Sequence, residues 1–215
     1  MTHVVVFGAT GYAGGHITNE LLSRGHTVTG VARDTSKLEE HEGLTAKAGS
    51  IHDADFVGRT VDGADVVIVA LRAAEENGEK LIDAMPHVMQ AASATGARVG
   101  IVGGAGSLNV SEGGPLLIET PEFPDAAKGE AGAHQKVLDL VRDDETGADW
   151  FYVSLAGEFG SWVPGERTGT FRVGGDVLLV DGEGHSYISG ADLAIAFVDE
   201  VEKPTHHRER FTVAY

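Results

Sequence analysis

The sequence predicts an α/β protein with a doubly wound parallel sheet, and two observations lead to this fold class. Apolar runs typical of buried strands alternate with helical patterns from one end of the chain to the other. The run Asp65–Ala70 is apolar on both faces, as a central strand covered by helices on both sides would be. Because no composition break or internal repeat divides the chain, residues 1–215 are expected to form a single domain.

The first half of the chain opens with the strand-like run His3–Phe7. A helical pattern follows, with Ile17, Leu21 and Leu22 on one face, and it stops near Gly25. The further elements expected in this half are the strands His26–Arg33, Leu44–Ala48 and Asp65–Ala70, a short helix after Arg33 capped by Asp34 or Ser36, and a helix over Asp53–Val61.

The second half continues the alternation. Helical spacing extends from Gly78 to Gly96 with an apolar stripe typical of core packing, and Pro86 is expected to kink or interrupt this helix. Residues 109–128 are rich in proline, glycine and acidic residues and indicate a loop. The remaining expected elements are the strands Arg98–Val102, Trp150–Ser154 and Arg210–Val213, helices over Asp125–Glu145 and Asp192–Val201, a short extended piece at Tyr187–Ser189, and a hairpin of Thr170–Val173 and Val177–Val180 around Gly174–Asp176.

Three glycines between the first strand and the first helix carry the main functional signal, in the pattern Gly-x-x-Gly-x-x-Gly. Glycine permits the dihedral angles of a tight turn, close approach of backbone to a phosphate, and close packing of helix on strand. The helix start leaves N–H groups unpaired and carries a partial positive charge, which suits a dinucleotide pyrophosphate. A structural turn without ligand is the alternative, and the strand–turn–helix context favours the site. The residues assigned to the pyrophosphate are Gly8, Thr10, Gly11, Tyr12, Ala13 and Gly14.

The end of the second strand indicates which dinucleotide is bound. An acidic residue there would accept hydrogen bonds from the ribose 2′-hydroxyl of NAD, whereas an arginine suits the 2′-phosphate of NADP. This chain has Arg33, about 20 residues beyond the glycines, where the discriminating side chain is expected. Lys37 could add a second positive charge. The sequence therefore favours NADPH over NADH, although Asp34 next to the arginine, or a merely solvated Arg33, argues the other way.

Further cofactor contacts are expected where the later strands end, because ligands lie outside the carboxyl ends of a parallel sheet. Ser50 and Ile51 are candidates for the adenine, while Ala70 and Leu71 would border the cofactor. Arg72 could meet the pyrophosphate or the substrate, or be a surface arginine. The glycine-rich stretch after the fifth strand adds Gly104 to the cofactor contacts and Ser107 as the candidate catalytic residue, which would orient the nicotinamide; its alternative is a loop serine.

Composition limits the functions that this chain can serve. Its net charge is −17, from 33 acidic and 16 basic residues, which would repel nucleic-acid phosphates and anionic membranes. There is no cysteine, which excludes disulfides and thiolate chemistry. No carboxylate stands at ligand spacing from His206 and His207, so no metal site is expected. No apolar run approaches the roughly 18 residues of a membrane span, and the start of the chain lacks the pattern of a signal peptide. A cytoplasmic location is the expectation.

Six segments spread over almost the whole chain carry a family resemblance: Gly8–Gly14, Val31–Leu38, Gly103–Leu108, Pro164–Arg172, Tyr187–Asp192 and Arg210–Val213. Together they resemble the NADH-flavin reductases. These are atypical short-chain dehydrogenase/reductases, close to the NmrA-like and biliverdin-reductase-B-like proteins and often labelled NAD-dependent epimerase/dehydratase. The resemblance implies an NAD(P)-binding Rossmann fold with a small C-terminal substrate region at about residues 157–190.

One departure from the wider superfamily bears on the chemistry. That superfamily uses a Tyr-x-x-x-Lys pair, in which lysine lowers the pKa of a tyrosine that protonates a carbonyl. None of the tyrosines here has lysine four residues later: Tyr12, Tyr152 and Tyr187 are followed at that distance by His16, Ala156 and Ala191, and Tyr215 ends the sequence. Reduction of a simple ketone is therefore poorly supported. Flavin reduction asks less of the protein, because the isoalloxazine ring itself accepts the hydride.

The sequence thus supports an NADPH-dependent reductase of free flavin, with FMN or FAD as substrate, or of a similar planar small-molecule acceptor. Phe159, Trp162 and Arg167 could form the acceptor pocket, although both aromatic residues could equally belong to the core. A nucleotide-sensing protein without turnover is the second hypothesis, and an epimerase or dehydratase the third, which the missing Tyr–Lys pair disfavours. A monomer or a homodimer is expected.

Overall fold

Within the residues that the computed structural model describes, 1–163 and 165–215, the chain forms one eight-stranded sheet and five α-helices. The strands are β1 (His3–Phe7), β2 (Thr27–Ala32), β3 (Leu44–Ala48), β4 (Val66–Val69), β5 (Arg98–Val102), β6 (Trp150–Ser154), β7 (Arg172–Gly174) and β8 (Glu209–Ala214). The helices are α1 (Tyr12–Ser23), α2 (Ala54–Val61), α3 (Leu81–Thr95), α4 (Asp125–Arg142) and α5 (Gly190–Glu202).

The strand order is β3-β2-β1-β4-β5-β6-β8-β7, and every pair is parallel except β7 with β8. In the centre of the sheet, Val5 of β1 lies opposite Thr29 of β2 on one side and Val67 of β4 on the other. The chain leaves β1 in one direction through β2 and β3 and in the other through β4, β5 and β6. This reversal opens a crevice at the carboxyl ends of β1 and β4, where doubly wound sheets bind their ligands. The predicted fold class is confirmed.

Two apolar cores cover the sheet because successive side chains of a strand point to opposite faces. In β1, Val5 and Phe7 belong to the core shared with α2, α3 and α4, whereas Val4 and Val6 belong to the core shared with α1 and α5. Burial on both faces explains why the central strands read as continuous apolar runs rather than as alternating ones.

Two local expectations are wrong. The segment after Arg33 forms a turn instead of a short helix, in which the Asp34 carboxylate accepts a hydrogen bond from the Ser36 amide at 2.9 Å. Helix α3 runs through the exposed Pro86, so the predicted interruption is wrong, whereas a kink at this residue stays a prediction. Proline in a helix interior costs about 3 kcal/mol, and here the neighbouring Met85 and Met89, both fully buried in the core, offset that cost by holding the helix on the sheet.

The predicted hairpin at 170–180 does not form either. Its first half supplies β7, which pairs antiparallel with β8, so that Val173 lies opposite Val213. Its second half instead meets the loop after β5, where Leu178 donates a backbone hydrogen bond to Asn109 at 2.8 Å. The edge of β8 is a better partner for β7 because it extends the existing eight-stranded sheet, whereas an isolated two-stranded hairpin is marginally stable.

No helix within the described ranges is long and apolar enough to cross a bilayer.

A buried ion pair between β5 and α5 makes stability depend on acid pH. Burial opposes ionisation of Glu200, but hydrogen bonds from the His206 backbone, from the Arg98 guanidinium and from the side chains of His206 and Thr205 lower its pKa from 4.5 to about 2. A folded-state pKa below the unfolded value means that this contribution is complete above about pH 4.5 and is lost as the pH falls towards 2.

We therefore expect the Tm of the wild type to fall more steeply between these two pH values than the Tm of Glu200→Gln, by roughly 5 °C over the window. Differential scanning calorimetry across the pH range measures both curves. Glu122→Gln removes an exposed carboxylate and should follow the wild type. Equal slopes for the wild type and Glu200→Gln would contradict the prediction.

Candidate functional site

The glycine turn between β1 and α1 is fixed by backbone contacts that exclude side chains. Gly8 has a φ of +88°, and a Cβ on it would lie 2.2 Å from the carbonyl oxygen of Ala70, at the end of β4. A Cβ on Gly14 would lie 2.1 Å from the carbonyl oxygen of Gly8. The amide of Gly8 donates to the carbonyl of Val31 at 2.9 Å. The turn is therefore packed against β2 and β4, and its shape depends on glycine at both positions.

Helix α1 begins directly at this turn, with Gly11 as the residue before its first turn. In the part of the chain that the structure describes, no side chain caps this helix start, and its first turn holds no acidic residue. Tyr12, Ala13 and Gly14 thus present backbone N–H groups at the positive end of the helix dipole. This is the arrangement that binds phosphate groups at helix starts.

A cavity of about 240 Å³ lies at the crevice between the carboxyl ends of β1 and β4. The predicted cofactor residues that line it are Gly8, Thr10, Gly11, Arg33, Ser50, Ile51, Ala70, Leu71 and Arg72. Sequence reasoning missed other lining residues, among them His52, Glu76 and Glu79. The first directly follows the adenine candidates Ser50 and Ile51, which was a usable signal, whereas the two glutamates lie in an irregular loop without any motif.

A positively charged side chain, that of Arg33, lines this cavity directly after the end of β2. The Arg33 guanidinium is exposed and lies 3.2 Å from a carboxylate oxygen of Glu76 on the other side of the opening. Exposed pairs of this kind contribute at most about 1 kcal/mol, so the guanidinium can exchange its partner for another anion at small cost. Lys37 is exposed in the turn after β2 and does not line the cavity.

The glycine-rich loop after β5 packs on buried polar side chains. A Cβ on Gly103 would overlap the ring of Tyr152, and a Cβ on Gly104 would lie 3.4 Å from the Cβ of His134. The Gly104 amide donates to the Tyr152 hydroxyl at 3.4 Å. Burial raises the pKa of that hydroxyl. The tyrosine therefore stays protonated at neutral pH and supports the loop from below.

Ser107, the predicted nicotinamide contact, is buried at the end of the glycine-rich loop. Its hydroxyl accepts a hydrogen bond from the Arg210 guanidinium at 3.2 Å, while its carbonyl accepts a second one at 3.3 Å. The same guanidinium contacts Ser154 and Asp176. These contacts make Ser107 a support of the loop, and its role in orienting a nicotinamide stays a prediction.

Aromatic side chains gather beside the first turn of α1. The ring centroids of Tyr12 and Phe159 are 5.3 Å apart, and those of Tyr12 and His16 are 4.9 Å apart. Trp162 is 77% exposed, with its ring lying against Gly160. The alternative that Trp162 belongs to the core is therefore wrong, and Phe159 is partly buried. Pro164, which opens one of the predicted family segments, lies outside the described residues.

Arg167 does not reach the cavity. Its guanidinium donates two hydrogen bonds to the carboxylate of Glu20 on α1, one of them at 3.0 Å. Together they line a separate depression at the surface of α1 and α5. The Arg167 hydrogen bond holds the pKa of the buried Glu20 below its ordinary value. This ion pair fastens the 165–171 loop to α1, and the contact of Arg167 with an acceptor stays a prediction.

Within residues 1–163 and 165–215, no group of three or more His, Asp or Glu side chains is placed so that it could hold a metal ion.

The sheet order, the glycine turn and the uncapped helix start define a Rossmann-type nucleotide-binding protein. A profile described as NAD(P)H-binding matches residues 8–204. The chain is 35% identical over 213 residues to the uncharacterized protein YwnB of Bacillus subtilis strain 168. The alignment covers 97% of this chain and 96% of that protein. The chain belongs to the NAD(P)H-binding family.

Solved structures give the same assignment. A protein from Streptococcus pneumoniae TIGR4 described as "a putative NADH-flavin reductase" is 32% identical, with a TM-score of 0.88 over 100% of this chain and 99% of that one. A "putative epimerase" from Bacteroides thetaiotaomicron is 34% identical, with a TM-score of 0.89 over 100% of this chain and 97% of that one. The resemblance to this group of NAD(P)-binding Rossmann-fold proteins is confirmed.

Proposed function

We propose that this protein is an NADPH-dependent reductase that passes a hydride to a free flavin or a similar planar acceptor. The observation that carries the proposal is the crevice at the glycine turn, where an uncapped helix start, a cavity and an arginine meet. A Cβ at Gly8 or Gly14 would overlap a backbone oxygen of the protein, so glycine at both positions lets α1 pack closely on the turn and on the end of β4 and fixes the helix start at the crevice.

The residues around the crevice fit a dinucleotide. Backbone amides of Thr10, Tyr12 and Ala13 would hold the pyrophosphate, with Gly8, Gly11 and Gly14 shaping the turn. Ser50 and Ile51 would contact the adenine, and Ala70, Leu71 and Gly104 would border the rest of the cofactor. Arg72, exposed at the cavity rim, would add positive charge near the pyrophosphate. When bound, the nicotinamide supplies the hydride.

Arg33 is proposed to select NADPH. Replacing it with alanine removes a charge-assisted hydrogen bond to the 2′-phosphate, which is worth about 1.5–3 kcal/mol. We expect Arg33→Ala to raise the Kd for NADPH roughly 10- to 100-fold and the Kd for NADH less than about threefold. Fluorescence titration of both nucleotides measures the ratio.

Arg59→Ala is the matched control, since Arg59 is exposed at the end of α2 and does not line the cavity. It should leave both dissociation constants unchanged. If Arg33→Ala weakened NADPH and NADH equally, the assignment of NADPH would fail while the dinucleotide site would stand.

The acceptor is proposed to stack beside the first turn of α1. Tyr12 and Phe159 form an aromatic pair there, and the exposed Trp162 lies on the same loop as Phe159. Planar aromatic surfaces suit a flat conjugated ring, and hydride transfer to such a ring needs orientation more than a protein acid. The relative described as an NADH-flavin reductase supports flavin as the acceptor.

Nucleotide sensing without turnover is the second candidate, and a specific observation favours it. The two hydroxyls nearest the glycine-rich loop, those of Ser107 and Tyr152, are both buried in structural hydrogen bonds. The same fact argues against an epimerase or dehydratase, which needs a proton-transferring side chain.

Steady-state oxidation of NADPH on addition of FMN separates these candidates. A reductase consumes NADPH in proportion to the enzyme and to FMN, and Phe159→Ala raises the KM for FMN while the Kd for NADPH stays constant. Saturable NADPH binding without oxidation by FMN, FAD or a quinone would contradict the reductase hypothesis and favour a nucleotide sensor without turnover.

A further inference from the structure

The wall of the cofactor cavity beyond β4 is a loop held in place from α4. This 70–80 loop, residues 70–80, contributes much of the cavity lining, including Leu71, Ala74 and Glu76. Its outer part closes on itself through reciprocal backbone hydrogen bonds between Glu76 and Glu79. Its other side-chain contacts include exposed ion pairs, such as Lys80 with Glu75 at 3.5 Å. Such pairs contribute little order to a loop.

Glu130 of α4 supplies the strong attachment. One carboxylate oxygen accepts the Ala73 amide at 2.7 Å, and the other accepts the Ala74 amide at 3.1 Å. Burial opposes ionisation of Glu130, but the hydrogen bonds from His134 and from these two amides lower its pKa to about 2. The group is therefore a carboxylate at neutral pH, and both hydrogen bonds are charge-assisted.

His134 orients this carboxylate and links it to the loop after β5. Its Nε2 lies 3.3 Å from Glu130, one helical turn earlier, and its side chain is almost fully buried. The Tyr152 hydroxyl donates to the backbone carbonyl of His134 at 3.1 Å, and Gly104 packs on the His134 side chain. A continuous chain of contacts thus joins the loops after β4 and β5, which flank the crevice on the side of β4, β5 and β6.

We propose that Glu130, oriented by His134, is a positioning residue for the dinucleotide, because it holds the 70–80 loop in the conformation that forms the cavity wall. The inference rests on the proposed function, since it assumes that this cavity takes the dinucleotide. A loop that is ordered in only a fraction of the molecules reduces the apparent affinity by that fraction. Arg72, the proposed pyrophosphate contact, also pairs with Glu130, with its Nε 3.6 Å from a carboxylate oxygen. Because loss of this pair would leave the arginine free for the nucleotide, weaker binding after removal of the Glu130 carboxylate would report the loss of loop order.

The test compares Glu130→Gln with Asp125→Asn. Both change an acid to its amide on α4, but Asp125 is exposed and pairs with Lys128 of the same helix at 2.6 Å. In Glu130→Gln the amide N–H₂ group faces a backbone donor, so one of the two loop hydrogen bonds is lost. We expect the Kd for NADPH to rise about tenfold or more. Asp125→Asn should change it less than about twofold.

Amide hydrogen exchange of the free and the NADPH-bound protein measures the coupling between loop order and binding, which a merely structural role of Glu130 would not include. In the wild type, NADPH should slow exchange in the peptide covering residues 70–80, because binding and loop order are linked. In Glu130→Gln the free protein should exchange faster in this peptide while the peptides of β1, β4 and β6 keep their wild-type rates. A Kd within twofold of the wild type, with or without faster exchange, would overturn the proposal.

If Glu130→Gln does not fold, His134→Gln decides instead. It leaves the carboxylate on both loop amides and removes the imidazole that orients it, so the Kd should rise by roughly twofold to fivefold; an unchanged Kd would overturn the proposal. Failure of the proposed function has a different signature, because the wild type itself would then not bind NADPH.

Discussion

Gly14→Ala will abolish measurable NADPH binding, whereas Gly15→Ala, one residue further along the same helix, will leave it intact. The new Cβ at position 14 would lie 2.1 Å from the Gly8 carbonyl oxygen and 3.3 Å from the Ala70 Cβ. Since the first neighbour is backbone, the turn and the helix start must move apart. Overpacking of this kind lowers the stability of the folded protein by about 1–3 kcal/mol. The backbone amides of the helix start would also move out of hydrogen-bonding position for the pyrophosphate. We expect the Kd to rise at least about 100-fold.

Gly15→Ala is a matched control because both substitutions add the same methyl group to the same helix and differ only in the room that this group finds. A Cβ on Gly15 has the Ala9 carbonyl oxygen as its nearest neighbour, at 3.6 Å, which is ordinary van der Waals contact. Alanine is also the better helix former by about 1 kcal/mol, so Gly15→Ala should raise the Tm slightly. Isothermal titration calorimetry well below both Tm values measures the affinities. A Gly14→Ala protein that binds NADPH within threefold of the wild type would refute the proposed role of the turn.

The predicted fold succeeded where local sequence decides structure. The strands Leu44–Ala48, Arg98–Val102 and Trp150–Ser154 have the predicted bounds, because each is a compact apolar or β-prone run closed by turn residues. The hairpin at 170–180 failed because its first half pairs with β8, which comes more than 30 residues later in the chain. Pairing at a sheet edge is a tertiary choice, and the local pattern of a hairpin does not reveal a better partner elsewhere.

In the candidate site, too, the sequence placed the residues whose position follows from topology and missed the contacts between residues that are remote in the chain. Residues at strand ends, such as Arg33 and Ile51, line one cavity because topology alone brings these ends together. The sequence did not reveal the hydrogen-bond partners of Ser107 and Arg167 because these partners are remote: Arg210 lies 103 residues from the first, and Glu20 lies 147 residues from the second. An ion pair that captures a side chain from such a distance leaves no signature in the spacing of a single sequence.

One buried carboxylate links the loop of residues 165–171 with α5, and both elements belong to segments that carry the family resemblance. Asp192, in the first turn of α5, is 0% exposed. Its carboxylate accepts hydrogen bonds of 3.0 Å from the backbone amides of Thr168 and Gly169. It also accepts hydrogen bonds of 2.6 Å from the hydroxyls of Thr168 and Tyr215. Burial opposes its ionisation, but the Thr168 and Tyr215 hydroxyls and these amides keep the pKa of Asp192 below its ordinary value. One side chain thus ties the 165–171 loop and the end of the chain to α5.

Asp192→Ala should therefore be strongly destabilising. Removing this carboxylate takes the acceptor from the amides of Thr168 and Gly169 and from the Thr168 and Tyr215 hydroxyls. A hydrogen bond to a charged group contributes about 1.5–3 kcal/mol. Because Thr168 and Gly169 are exposed, water replaces part of the loss, and we expect a total cost of about 3 kcal/mol. For a chain of this size that corresponds to a fall in Tm of roughly 10 °C. Urea denaturation followed by circular dichroism measures the free energy of unfolding. The loop should also become accessible, so that trypsin cleaves after Arg167 faster than in the wild type.

Asp199→Asn is the control on the same helix. Asp199 is more than half exposed and pairs with Arg24 at 2.7 Å, so its loss should change the free energy of unfolding by less than about 1 kcal/mol. A similarly small change in Asp192→Ala would contradict the prediction. Asp192→Asn refines the test, since asparagine keeps the size of the side chain but turns one acceptor into a donor. If charge and acceptor number carry the effect, Asp192→Asn will lose most of the stability that Asp192→Ala loses, whereas a packing effect would leave Asp192→Asn close to the wild type.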